Sequence, residues 1–160
     1  MTDNQPALST YYNGWDVYQD LLTKAVAPLS ADQLTLSSAP QLRSIGVIAA
    51  HIIAARVWWF HSIMGEGSAD LEPMLTWDDD GAPARSAAEL VSGLESTWQM
   101  IQNCLARWNF TDLDQTFRRR EDTFSRQWII WHVIEHDLHH GGELSLTLGM
   151  HNLAAPISKE

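Results

Sequence analysis

The stretch WHVIEHDLHHGGE, residues 131–143, holds four of the chain's seven histidines within nine positions. At about 100° per residue, Ile129, His132, Val133, His136, His140, Glu143 and Thr147 share one helical arc about 100° wide. Several imidazoles and a carboxylate on an inward stripe are costly without partners, at about 1–3 kcal/mol for each buried unsatisfied group. A bound cation is the partner that best suits neutral imidazoles. His136 and His140 stand one turn apart on one face, so they can chelate one ion from a single helix.

Two ligands do not hold a divalent ion tightly, and a third is expected from a neighbouring helix. His51 is the candidate: it lies mid-way along SIGVIAAHIIAARVWWFHSIM, on a face with Val47, Ile48, Ala55, Trp58 and Trp59. The alternative is a hydrogen-bonded pair of buried imidazoles. His132, one turn before His136, could replace His140 as a ligand or act through a ligand's free nitrogen. Glu143, one turn past His140, could orient that imidazole or shuttle protons, the alternative being a partly exposed residue near a helix end. These two are the candidate catalytic residues, and His51, His136 and His140 the candidate metal ligands. His139 falls at the edge of the stripe, and His61 and His151 are expected to be surface or satisfied residues. Trp58 and Trp59 are expected to flank the ion.

A second motif overlaps the same letters. His132, Glu135 and His136 spell H-x-x-E-H, a zinc peptidase pattern, but that reading leaves His51 and His140 unused and needs a further downstream carboxylate ligand. The run Asp78-Asp79-Asp80-Gly81 suggests calcium, yet alignment on Gly81 places Thr76 and Ala87 where carboxylates are required, so a solvated acidic loop is expected. Cys104 reads as a small buried hydrophobe rather than a nucleophile.

Four segments carry the helical periodicity that must position these groups. They span about 8–27, 44–64, 86–108 and 125–148, and nothing reads as a run of alternating strands. Ser30 with Gln33 and Ser86 with Glu89 form capping-box patterns; Ser44 and Ser125 are plausible N-caps, while Gly65 and Gly149 are plausible stops. Leu90, Leu94, Trp98, Ile101, Leu105 and Trp108 make one apolar stripe. Segments about 30 Å long in this number predict an all-α four-helix bundle. Two long connections, 65–85 and 109–124, could form a rim or lid.

Composition bounds the rest. With 160 residues and 45% apolar content, the chain is predicted to be one domain, 1–160. No apolar run approaches the roughly 20 residues a bilayer needs, and the N-terminus lacks a secretory pattern, so no membrane association and a cytoplasmic location are expected. A formal charge of −10 disfavours nucleic acid. One cysteine allows no intrachain disulfide. Eight tryptophans imply aromatic core or pocket lining, and a homodimer is compatible with so aromatic a small bundle.

The residues SIGVIAAH, ending in His51, and HVIEHDLHHGGELSLTLG, carrying His136 and His140, resemble the DinB-like (DinB/YfiT-type) family over nearly the whole chain. That resemblance implies a helical bundle whose metal site takes one His from the middle of the second helix and an H-x3-H pair from the fourth. Many members continue H-R-G-Q, whereas this chain reads His140-Gly141-Gly142-Glu143, exchanging a positive charge for a negative one. Family members include thiol-dependent transferases or isomerases, which use thiols such as bacillithiol or mycothiol, and metal-dependent hydrolases. The expectation is therefore a metal-dependent enzyme that activates a low-molecular-weight thiol cosubstrate for transfer to a small electrophilic substrate. The alternatives are hydrolysis by water at the ion, and a metal-binding or dimerising module without turnover. His-only ligation suits zinc or nickel, with iron or copper also compatible.

Overall fold

The computed structural model describes residues 6–156. The chain is predominantly helical: α1 (Asn13–Val26), α2 (Ala31–Leu34), α3 (Ile45–Arg56), α4 (Ala87–Arg107) and α5 (Arg126–Met150), with a small hairpin of β1 (Thr116–Arg119) and β2 (Asp122–Ser125). α1 lies against α4 and α5, and α3 lies against the same two.

Local side-chain rules set most helix starts. Ser44 Oγ accepts from the Val47 N–H, Ser86 Oγ from Glu89 and Ser125 Oγ from Trp128, each satisfying an amide that a helix start leaves free. Ser30–Gln33 and Ser86–Glu89 form both bonds of the capping box, and the first of these opens α2. Gly65 adopts φ +76° just past the second long helical segment, a conformation that favours glycine.

Three expectations need correction. The first segment is split: a 3₁₀ turn, Leu8–Thr10, precedes α1, because the Leu8 amide donates to the Trp108 carbonyl at 2.9 Å and buries Leu8 at the end of α4. Residues 116–125 form a hairpin, in register Thr116↔Ser125 to Arg119↔Asp122, with Arg120 at φ 54° in the turn. Strands of four residues are too short for an alternating pattern to register. Ile45–Ile63 is long and apolar enough to cross a membrane, and most of it is buried inside the protein, against α4 and α5.

α3 continues as a π-helix, Val57–Ile63, in which wider turns carry the chain through Trp58, Trp59 and Phe60. The apolar side chains form two clusters. One gathers around Phe60, Ile101, Ile129 and Val133, the other around Leu22, Ile52, Leu90 and Leu144. Between them lies a buried ion pair. Arg56 sends Nη2 to Asp137 Oδ2 at 2.7 Å and Nε to both carboxylate oxygens at 3.1 Å, while Trp15 Nε1 donates to Oδ2 at 2.8 Å. Arg56 Nη1 donates to Gln19 Oε1 at 2.7 Å. This pair joins α3 to α5 one residue from His136 and five from His51.

Candidate metal centre

His51, His136 and His140 converge between α3 and α5. One ring nitrogen from each lies within 4.8 Å of the others. The ring centroids are 4.4–4.7 Å apart, and the Nε2 atoms of His51 and His136 stand 3.1 Å apart. Two nitrogens about 2.05 Å from one tetrahedral ion would be about 3.3 Å apart, so this spacing fits shared ligation.

Carboxylates settle which nitrogens are available. His51 Nδ1–H donates to Asp78 Oδ2 at 2.6 Å, and His140 Nδ1–H donates to Glu143 Oε2 at 2.8 Å. In the neutral tautomer each bond leaves Nε2 as a bare lone pair. Lone pairs directed at a common point repel unless a cation or proton lies between them. Burial favours the neutral form of two of the rings: it holds the His136 pKa down at about 3, with His140 and His51 adding to the effect, and it also lowers His140. His136 Nδ1 is buried and has no hydrogen-bond partner among the described residues. The His51 and His140 tautomers are set by carboxylates, and the 3.1 Å approach of the His136 and His51 Nε2 atoms is met either by a proton on His136 or by a shared cation; with the proton absent, the three nitrogens are a donor set that fits a divalent ion.

The remaining sequence candidates fall around this triad. The His132 ring stacks on Trp128 at 4.8 Å and meets Trp59 edge-on at 5.0 Å, while its centroid is 6.2 Å from that of His136. It lies in an aromatic wall beside the triad. Glu135 is half-exposed and stands 3.7 Å from His132, so H-x-x-E-H does not converge as a peptidase site. Trp59 is buried in that wall, whereas Trp58 is partly exposed under Arg119. His139 is exposed with its ring edge against His140. His61 Nδ1 pairs with the Glu66 carbonyl at 2.7 Å, and His151 Nε2 with the Ser37 carbonyl at 2.9 Å. Cys104 is buried, and burial pushes its thiol up to about 12.

Two polar groups near the centre escape sequence reasoning. Asp78 belongs to the acidic run expected to be a solvated loop, yet it holds His51; the signal was the need of a ligand imidazole for an acceptor on its other nitrogen. Asp137 sits inside the histidine-rich stretch and pairs with Arg56, and a carboxylate on a helix's inward side calls for such a cation. The departure at Gly141 also has a structural reason. A Cβ there would stand 2.1 Å from Tyr18 Oη, so the α1 tyrosine takes the room a side chain would need.

Residues 15–144 match the DinB superfamily. The chain therefore belongs to that superfamily. In fold it is similar to a DinB-like protein from Bacillus cereus ATCC 10987 solved by crystallography. The TM-score is 0.74 and the identity 20%, over 95% of this chain and 97% of that one. No curated protein matches the sequence.

Proposed function

We propose that the four long helices act as a four-helix-bundle scaffold for one divalent ion, zinc or nickel, held by His51, His136 and His140. The ion supports an enzyme that transfers a low-molecular-weight thiol to a small electrophile. The observation that carries this reading is the convergence of the three imidazoles, two of them with the outer nitrogen tied to a carboxylate. Three neutral ligands leave a divalent ion its full charge and an open position, which favours the ionised form of a thiol bound there.

The chain's own residues argue for a thiol over hydrolysis. Hydrolysis calls for a side chain to move protons to the leaving group. The carboxylates beside the triad, Asp78 and Glu143, each accept a bond from a ligand imidazole, so neither is free for that work. A thiol is acidic enough to ionise at a cation without a dedicated base. In this reading Glu143 fixes the His140 tautomer and does not shuttle protons. His132, stacked on Trp128, forms with Trp59 the wall against which the electrophile rests.

The test is ligand-dependent thermal stability of zinc- and nickel-loaded protein against a panel of small thiols and of simple esters and amides. Stabilisation by thiols alone, lost in His136→Ala, supports transfer. Stabilisation by esters or amides alone favours hydrolysis, and stabilisation by neither favours a module without turnover.

A further inference from the structure

Asp78 lies 27 residues from His51 in sequence, in the connection between the π-helical end of α3 and α4. Its bond to His51 is the shorter of the two that tie a triad imidazole to a carboxylate, and both side chains are only about a fifth exposed (22% and 21%). Glu143 belongs to the same helix as its imidazole, so its bond forms whenever α5 does. Asp78 has no such guarantee, because it reaches His51 only when residues 65–85 are docked on α3 and α4.

The docking is built into that segment. Leu71 is buried from the 3₁₀ helix Ala69–Thr76. Gly67, at φ +75°, lets the backbone pass so close that a Cβ would meet Met100 and Leu71 at 2.8–2.9 Å. Trp77, next to Asp78, lies under the Arg85 guanidinium at 4.8 Å. It also comes close to Gly93, where a Cβ would stand 2.9 Å from its ring. The tryptophan thus wedges between the loop's end and α4, and Asp78 leaves that wedge toward His51.

Resting on the reading that the triad holds an ion, we propose that Asp78 is a positioning residue which makes residues 65–85 part of the metal centre. Docking of the loop and binding of the metal are then one coupled equilibrium. The docked carboxylate holds His51 in the tautomer and orientation a ligand needs, and the ion in turn holds His51 where Asp78 finds it. Coupling of this kind is reciprocal: the factor by which docking strengthens metal binding equals the factor by which metal strengthens docking.

The experiment measures zinc and cobalt(II) affinity by chelator competition in the full chain and in Asp78→Asn, Asp78→Glu and Asp79→Asn. Amide exchange across residues 65–85 is followed with and without zinc. Loss of an imidazole's outer partner typically weakens metal binding about 10–100-fold. Asp78→Asn is expected to show that loss with a changed cobalt(II) visible spectrum, Asp78→Glu to recover part of it, and the exposed neighbour Asp79→Asn to stay within about twofold. Zinc should slow amide exchange around Asp78 in the natural sequence and not in Asp78→Asn. In a His51→Ala background, Asp78→Asn should have no further effect on residual affinity. Wild-type affinity in Asp78→Asn, or equal loop protection in both proteins, overturns the inference while leaving the triad intact. Failure of the natural sequence to bind either metal instead removes the proposed function.

Discussion

Asp137→Ala is expected to be among the most damaging single substitutions outside the triad, and its magnitude follows from what the change leaves behind. The Arg56 and Asp137 side chains are 0% and 1% exposed. Without the carboxylate, the buried guanidinium keeps, among the described residues, Gln19 Oε1 at 2.7 Å and distant contacts to Thr97 Oγ1 and the Leu94 carbonyl, each at 3.4 Å. Removing one partner of a buried pair costs about 3–5 kcal/mol, because the other charge stays desolvated and uncompensated. Trp15 Nε1 loses its acceptor as well, at about 1 kcal/mol more. Against a typical stability of about 5–15 kcal/mol, this removes a large share. With a urea slope of about 2 kcal/mol/M, the unfolding midpoint of the metal-free protein should fall by about 2–3 M. The double substitution Arg56→Met with Asp137→Leu removes both charges and should regain most of the loss, since buried pairs replaced by apolar groups are often neutral or better. Urea titration followed by circular dichroism reads all three proteins. A loss below about 1 kcal/mol in Asp137→Ala, or a double variant no more stable than the single, would refute the reasoning.

Two further outcomes are expected. Gly141→Ala should destabilise by about 1–3 kcal/mol through its collision with Tyr18, and thermal denaturation should show a smaller penalty in a Tyr18→Phe background, where the nearest atom is gone. For metal-free protein, the His136 pKa held at about 3 lies below the unfolded value of about 6.5, so the unfolded chain takes up a proton that the folded chain refuses. Stability from this group is complete above about pH 6.5 and falls as pH drops toward 3, by at most about 1.4 kcal/mol per pH unit. Urea midpoints across pH 4–8 should show this slope flattened in His136→Ala; an unchanged slope would contradict the assignment.

Features that depend on neighbours in sequence were legible before the structure. The serine caps at Ser30, Ser44, Ser86 and Ser125 act within three residues, and the stripe through Leu90, Leu94 and Ile101 follows from helical geometry alone. The histidine stripe on α5 was visible for the same reason, and His51 could be nominated because an imidazole on an apolar face wants a partner. What the sequence hid rests on tertiary approach. Arg56 and Asp137 are 81 residues apart, and His51 and Asp78 are joined by a loop whose path no periodicity encodes. The acidic run around Asp78 looked like solvated charge because composition cannot distinguish a carboxylate facing water from one facing an imidazole. The hairpin leaves no trace in the sequence because four-residue strands carry too little pattern, and the break before α1 leaves none because it depends on an amide reaching Trp108.

The central claim is that imidazoles from α3 and α5 share one cation, and metal stoichiometry in the natural chain and its histidine variants tests it most directly. Protein purified without chelator and supplied with zinc or nickel should carry close to one ion per chain by elemental analysis. His51→Ala, His136→Ala and His140→Ala should each lose it, and His61→Ala should keep it. Full occupancy retained in His51→Ala, or no uptake by the natural chain, would contradict the account.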